Sequence, residues 1–240
     1  MTPGFRQLLN RFAMLGFEHQ LSLVDVLGAD PEWRLFPREA MAQFGEHRYS
    51  VQVLGSRADE SNTWLWAWAN PKSGVPAKAL ESVKRVRQVG KKRSIGELEV
   101  EALPLENFDF DAHTLALVGT AVAGLPAYFR FPYEGGALFA AFDPVELHLP
   151  EADLARIARV IRESVVRFEL DQRTAFNAYV EAHGARVTGT KADPVAQWPD
   201  GRTLAVRFDG QGNLVEVETP EEEGRAADRH PAGPDAAPPH

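Results

Sequence analysis

Three indoles at alternate positions, Trp64, Trp66 and Trp68, form the most distinctive spacing in the chain. A strand sends successive side chains to opposite faces. The spacing therefore predicts one face carrying the three indoles and the other carrying Leu65, Ala67 and Ala69. Neither face is polar, so the strand is expected to be central and covered on both sides. Each indole can bury roughly 150–250 Å². Two uses remain open for such a face: packing in a core, or a stacking platform for a sugar, a base or another flat ligand. Buried indole N–H groups need acceptors, so an edge facing a polar cavity would make Trp66 a binding residue.

Other polar groups stand where apolar ones are expected. His19 and Gln20 interrupt the apolar stripe of an N-terminal helix. Polar groups there must find partners or cost about 1–3 kcal/mol each. A satisfied core pair and a pocket group are both open readings of them. The binding candidates are His19, Gln20, Trp66, Asn70, Tyr128 and Tyr133, with Glu18 beside them; no catalytic residue can be assigned. Asp109, Asp111 and His113 share a face only if extended. They read better as a helix start, where carboxylates satisfy free N–H groups, so no metal site is expected. The chain holds no G-x-S-x-G elbow, no phosphate-binding G-x-x-x-x-G-K-[ST] loop, no H-E-x-x-H and no dinucleotide fingerprint at a strand–helix junction. No cofactor is expected.

Composition narrows the classes further. The 240 residues are 44% hydrophobic, enough for a sizeable core. No cysteine is present, which removes disulfides, thiolate metal sites and cysteine nucleophiles. Arg6, Arg11 and Glu18 break up the N-terminal apolar residues, so no signal peptide is expected. The longest nearly uncharged stretch, 115–129, is too short for a membrane span. A soluble, cytoplasmic protein without membrane partner is the expectation. The net charge of −8 argues against nucleic acid as a partner. The one basic run, Lys84, Arg85, Arg87, Lys91, Lys92 and Arg93, reads as cations at a helix C-terminus, with a docking patch as the alternative.

These residues must be positioned by a small set of elements. Apolar spacing predicts a helix over 5–27, closed by Gly28. Short strands follow at 33–36 and 40–44, then 48–54, a polar turn at 55–62, and the tryptophan strand at 63–69, ended by Asn70-Pro71. Their connections are too short for parallel crossovers, which predicts an antiparallel meander. A helix from Pro76 to about Gln88 is stopped by Gly90, and residues 98–103 suit a strand. Asp109 or Asp111 caps a small-residue helix over 112–123, able to approach the alanine face of the tryptophan strand closely. Residues 127–131 and 137–142 form a hairpin, as do 202–208 and 213–218 across Asp209-Gly210-Gln211-Gly212. Between them, 151–183 is expected as one long helix, or two with a bend near Leu170. The fold class is α+β, a mostly antiparallel twisted sheet with packed helices. Residues 1–219 read as a single domain and 220–240 as a disordered acidic, proline-rich tail.

The string Thr63-Trp64-Leu65-Trp66-Ala67-Trp68-Ala69-Asn70-Pro71 resembles a bacterial family of uncharacterised proteins, domain of unknown function 6882. So do Val53-Leu54-Gly55-Ser56, Ala127-Tyr128-Phe129-Arg130, the stretch from Pro132 to Phe139, Asp171-Gln172-Arg173-Thr174-Ala175 and Val206-Arg207-Phe208-Asp209. The resemblance runs from about Leu9 to Val217 and implies no reaction, ligand or catalytic residue. The residues thus favour a non-catalytic module that binds a small molecule or a protein. The alternative is an enzyme acting on a small polar substrate in a pocket beside the tryptophan strand.

Overall fold

A computed structural model describes residues 1–70, 73–142 and 147–218. The expected disordered tail and Pro71 lie outside the described residues. In chain order the elements begin with α1 (Pro3–Leu27), β1 (Trp33–Phe36), β2 (Met41–Phe44), β3 (His47–Ala58) and β4 (Thr63–Trp66). Next come α2 (Glu81–Arg93), α3 (Gly96–Glu99), β5 (Ala102–Pro104), α4 (Ala112–Val122), β6 (Tyr128–Tyr133) and β7 (Gly136–Phe142). The last are α5 (Leu154–Arg167), α6 (Gln172–Ala182), β8 (Arg186–Gly189), β9 (Pro194–Gln197), β10 (Thr203–Phe208) and β11 (Leu214–Glu218). The fold is α+β, and every strand pair is antiparallel.

Strands β1 to β5 follow one another across a seven-stranded sheet, as the short connections require. The hairpin β6–β7 joins it where β7 pairs with β3. Strands β8 to β11 form a second, four-stranded sheet that contains the expected C-terminal hairpin. Helix α1, roughly 37 Å long at 1.5 Å per residue, supplies all three apolar clusters. Phe5, Leu8, Leu9 and Ala13 join the cluster with Trp64, Trp66, α2 and α4. Met14 and Phe17 join α5, α6 and the four-stranded sheet. Leu23 joins Phe44, Phe131 and Phe142 in the third.

Several elements depart from their sequence expectations. The tryptophan strand ends at Trp66, because Ala67–Ala69 turn into a 3-10 helix. Trp64 and Trp66 do share a face, fully buried and edge to face at 5.2 Å. Trp68 leaves that face and lies under the Arg87 guanidinium at 3.8 Å. Helix α4 approaches the indoles rather than the alanines: a methyl added at Gly119 would stand 3.2 Å from the Trp66 ring. Strand β3 continues through Ala58 where a turn was expected from residue 55, and pairs with both β4 and β7 there. Gly90 does not stop α2, which runs on to Arg93 and closes at Ser94 in the left-handed region. The reason for glycine there is contact, since a methyl on it would lie 2.8 Å from Leu98 Cβ. The strand expected at 98–103 is split between α3 and β5.

The long segment near 151–183 is two helices, not one. Phe168 is extended, and Asp171 caps α6 by accepting the Thr174 N–H at 3.0 Å. The Asn10 side chain accepts the Asp171 N–H at 3.0 Å and fixes the break against α1.

Candidate functional site

Two of the hollows along α1 lie on either side of a wall formed by Gln20, Leu117 and Tyr128. The larger, about 620 Å³, is bounded by Leu9, Phe17 and Gln20 of α1, residues 108–111, the start of α4, and residues 167–169. Phe17, Phe108, Phe110, Tyr128 and Phe168 supply the aromatic part of its walls. Phe108 stacks on Phe110 at 4.8 Å, and Phe17 meets Phe168 edge to face at 6.3 Å. The folded reason is local: Phe168 is the residue at which α5 ends, so its ring is turned back toward α1.

The polar groups of this cleft divide into occupied and unoccupied. Asp111 caps α4, accepting the Thr114 N–H at 2.9 Å and the Thr114 hydroxyl at 3.1 Å. Glu169 pairs with Arg6 at 3.3 Å. The Tyr128 hydroxyl donates to the His113 carbonyl at 3.2 Å and lies 3.1 Å from His113 Nδ1. With its one proton so used, the phenol accepts from Nδ1–H, which leaves His113 Nε2 an acceptor. Burial lowers the His113 pKa, Asp111 opposes that, and Arg130, Arg57 and Arg167 push it further down. Burial raises the Tyr128 phenol, so it stays protonated. Arg167 rests on the Phe17 ring at 4.8 Å. Among the described residues, Arg167 and Asp109 form no ion pair.

The smaller hollow, about 290 Å³, is lined by Phe12, Leu15, His19, Thr120, Leu125 and Pro126 among others. His19 Nδ1 lies 2.7 Å from the Pro126 carbonyl. Gln20, with its amide oriented as its partners require, donates to the Tyr128 carbonyl at 2.9 Å and accepts the Tyr128 N–H at 3.1 Å. Both side chains thus hold α1 to the backbone that leads into β6.

Of the six binding candidates, His19, Gln20 and Tyr128 come together here. The other three do not. Trp66 is enclosed, and its indole N–H donates to the Glu97 carbonyl at 3.0 Å. Asn70 closes the 3-10 turn after β4. Tyr133 stands 53% exposed at the tip of the β6–β7 hairpin. The neighbouring Glu18 is buried and accepts from Tyr179 and, at 2.8 Å, from His183 Nε2. It ties α1 to α6 and lines neither hollow. Sequence reading left the α4 cap between Asp109 and Asp111, of which the structure uses Asp111, and it passed over Arg167 and Phe168 as cleft residues. The only sequence signal for them was Asp171 followed three residues later by Thr174, a cap spacing that marks the end of one helix and the start of another. No group of three or more acidic or histidine side chains able to hold a metal occurs among the described residues.

A family model described as a family of unknown function (DUF6882) matches residues 6–144, more than half of the chain. It takes in the tryptophan strand, α4 and the β6–β7 hairpin, while the similar stretches at 171–175 and 206–209 lie beyond the matched residues. No curated protein and no solved structure matches the chain.

Proposed function

The chain belongs to the family DUF6882, and from that premise we propose a non-catalytic binding module, bacterial and cytoplasmic, whose ligand is a small polar molecule with an apolar body. The ligand lies in the larger cleft. The observation that carries this reading is the contrast in polar satisfaction. His19 Nδ1, Gln20, Trp66 and Glu18 are all tied to protein partners, whereas Arg167 and Asp109 line the cleft without an ion partner among the described residues. A volume of about 620 Å³ falls within the roughly 300–1,000 Å³ usual for small-molecule sites, and the lining offers both aromatic rings and polar groups. The absence of cysteine supports a reducing compartment. No helix among the described residues is long and apolar enough to cross a membrane.

The enzyme reading placed its substrate beside the tryptophan strand. Trp66 lines neither hollow, and Glu18, Gln20 and the Tyr128 hydroxyl are engaged in holding elements together. A thermal-shift screen of the full chain against metabolites separates the readings. A ligand at about 100 times its Kd adds about 2.7 kcal/mol, which raises the melting temperature by roughly 5–10 °C for a chain of this size. Arg167→Ala should weaken that ligand at least tenfold in calorimetry. A ligand whose affinity ignores both Arg167→Ala and Asp109→Ala would place binding elsewhere. Conversion of the bound molecule, followed by NMR, would replace the module with the enzyme.

A further inference from the structure

The smaller hollow has no part in the reading above, and its walls specify a different ligand. Phe12, Leu15, Leu117, Ala121, Leu125 and Pro126 make it apolar. An engineered apolar cavity of about 150 Å³ accommodates benzene, so about 290 Å³ leaves room for a fused two-ring molecule.

Its polar side chains are nearly all spent. The Thr120 hydroxyl donates to the Ala116 carbonyl at 2.6 Å. Gln20 is committed to the Tyr128 backbone and the Tyr128 hydroxyl to His113. His19 is the exception. The Pro126 carbonyl, 2.7 Å from Nδ1, can only accept, so Nδ1 carries the proton. In a neutral imidazole the other nitrogen, Nε2, is then a lone-pair acceptor. Burial lowers the His19 pKa and His183 adds to that, against Pro126 and Glu18, and the net shift is downward. The ring is therefore neutral at physiological pH. Nε2 has no protein partner among the described residues. No carboxylate, lysine or arginine among the described residues lines the hollow, so a charged ligand would find no counter-ion there.

We propose that this hollow is a second binding site, for a small uncharged aromatic molecule with one N–H or O–H donor, which His19 Nε2 accepts. The site does not depend on what occupies the larger cleft.

Indole and benzofuran are the probes, because they share a shape and only indole has a donor. In calorimetry on the full chain, indole should bind and benzofuran should bind about tenfold more weakly, the scale of one net hydrogen bond. In spectra of the ¹⁵N-histidine-labelled chain, the His19 Nε2 resonance should move with indole and stay in place with benzofuran. Ala121→Trp, which fills this hollow and does not line the larger one, should abolish indole binding. Three results would overturn the proposal: no indole binding up to its solubility, equal affinity for the two probes, or indole binding undiminished in a folded Ala121→Trp chain. The comparison of probes on the unaltered protein decides the matter even if that variant fails to fold.

Discussion

Glu18 is a buried carboxylate with two donors converging on one oxygen, the Tyr179 hydroxyl and His183 Nε2. Burial pushes its pKa up, but the hydrogen bonds from His183 and Tyr179 and the charges of His183 and His19 outweigh that, and the net shift is downward. The folded state thus binds this proton less readily than the unfolded chain. The stability it contributes is complete above the ordinary glutamate pKa, about 4.3, and is lost as pH falls through the lowered folded value. Urea midpoints measured from pH 7 to pH 3 should fall more steeply for the native protein than for Glu18→Gln; parallel acid limbs would deny Glu18 this role. Trp66 makes the complementary case of an apolar group with one polar handle. Trp66→Ala empties a fully enclosed site and orphans the Glu97 carbonyl, so it should cost about 3–5 kcal/mol in equilibrium unfolding. An equally stable variant that lost a ligand would restore the stacking platform. Sequence reading picked out His19, Gln20 and Trp66 as polar or aromatic groups needing partners. It could not name the partners of the α1 groups, Glu18 included, because Pro126, Tyr128, Tyr179 and His183 lie more than 100 residues from the α1 side chains they meet.

Helix and strand boundaries show where local preference yielded to contact. Gly90 looks like a helix stop, yet α2 passes through it because the Leu98 backbone comes within 2.9 Å of where a methyl would sit. Gly90→Ala should therefore destabilise by about 1–3 kcal/mol from overpacking, although alanine favours a helix interior by up to about 1 kcal/mol. A gain in thermal stability would reinstate the stop-signal reading. The tryptophan strand obeys the alternation rule for two indoles and then turns into the 3-10 segment Ala67–Ala69. Its partner β5 reaches only Leu65 in register, so no ladder holds the residues beyond Trp66 extended. The break between α5 and α6 was written locally in the Asp171 cap. Asp171→Ala should cost about 1 kcal/mol, within the usual 0.5–2 kcal/mol for such caps, read from the shift in thermal midpoint.

At the scale of the whole molecule, α1 is the element that the three apolar clusters share. We propose on that ground that residues 1–218 unfold as one unit. Trp64 and Trp66 report on the first cluster and Trp198 on the second. Their fluorescence, separated by replacing Trp33, Trp68 and one set or the other with Phe, should give coincident denaturant midpoints; two midpoints would divide the chain into two domains. The sequence by itself determined the class α+β, the antiparallel meander, the extent of α1, the start of α4 behind an aspartate cap and both hairpins. Each of those is encoded in periodicity, turn residues or caps within a few positions. It also determined that Trp64 and Trp66 would share a buried face. Only the tertiary structure decided that α4 lies on the indoles, that β3 extends to serve three neighbours, and that β8 and β9 build a second sheet. It alone set the two hollows apart by a wall of Gln20, Leu117 and Tyr128. Such features depend on which distant surfaces meet, and local spacing carries no information about a partner a hundred residues away.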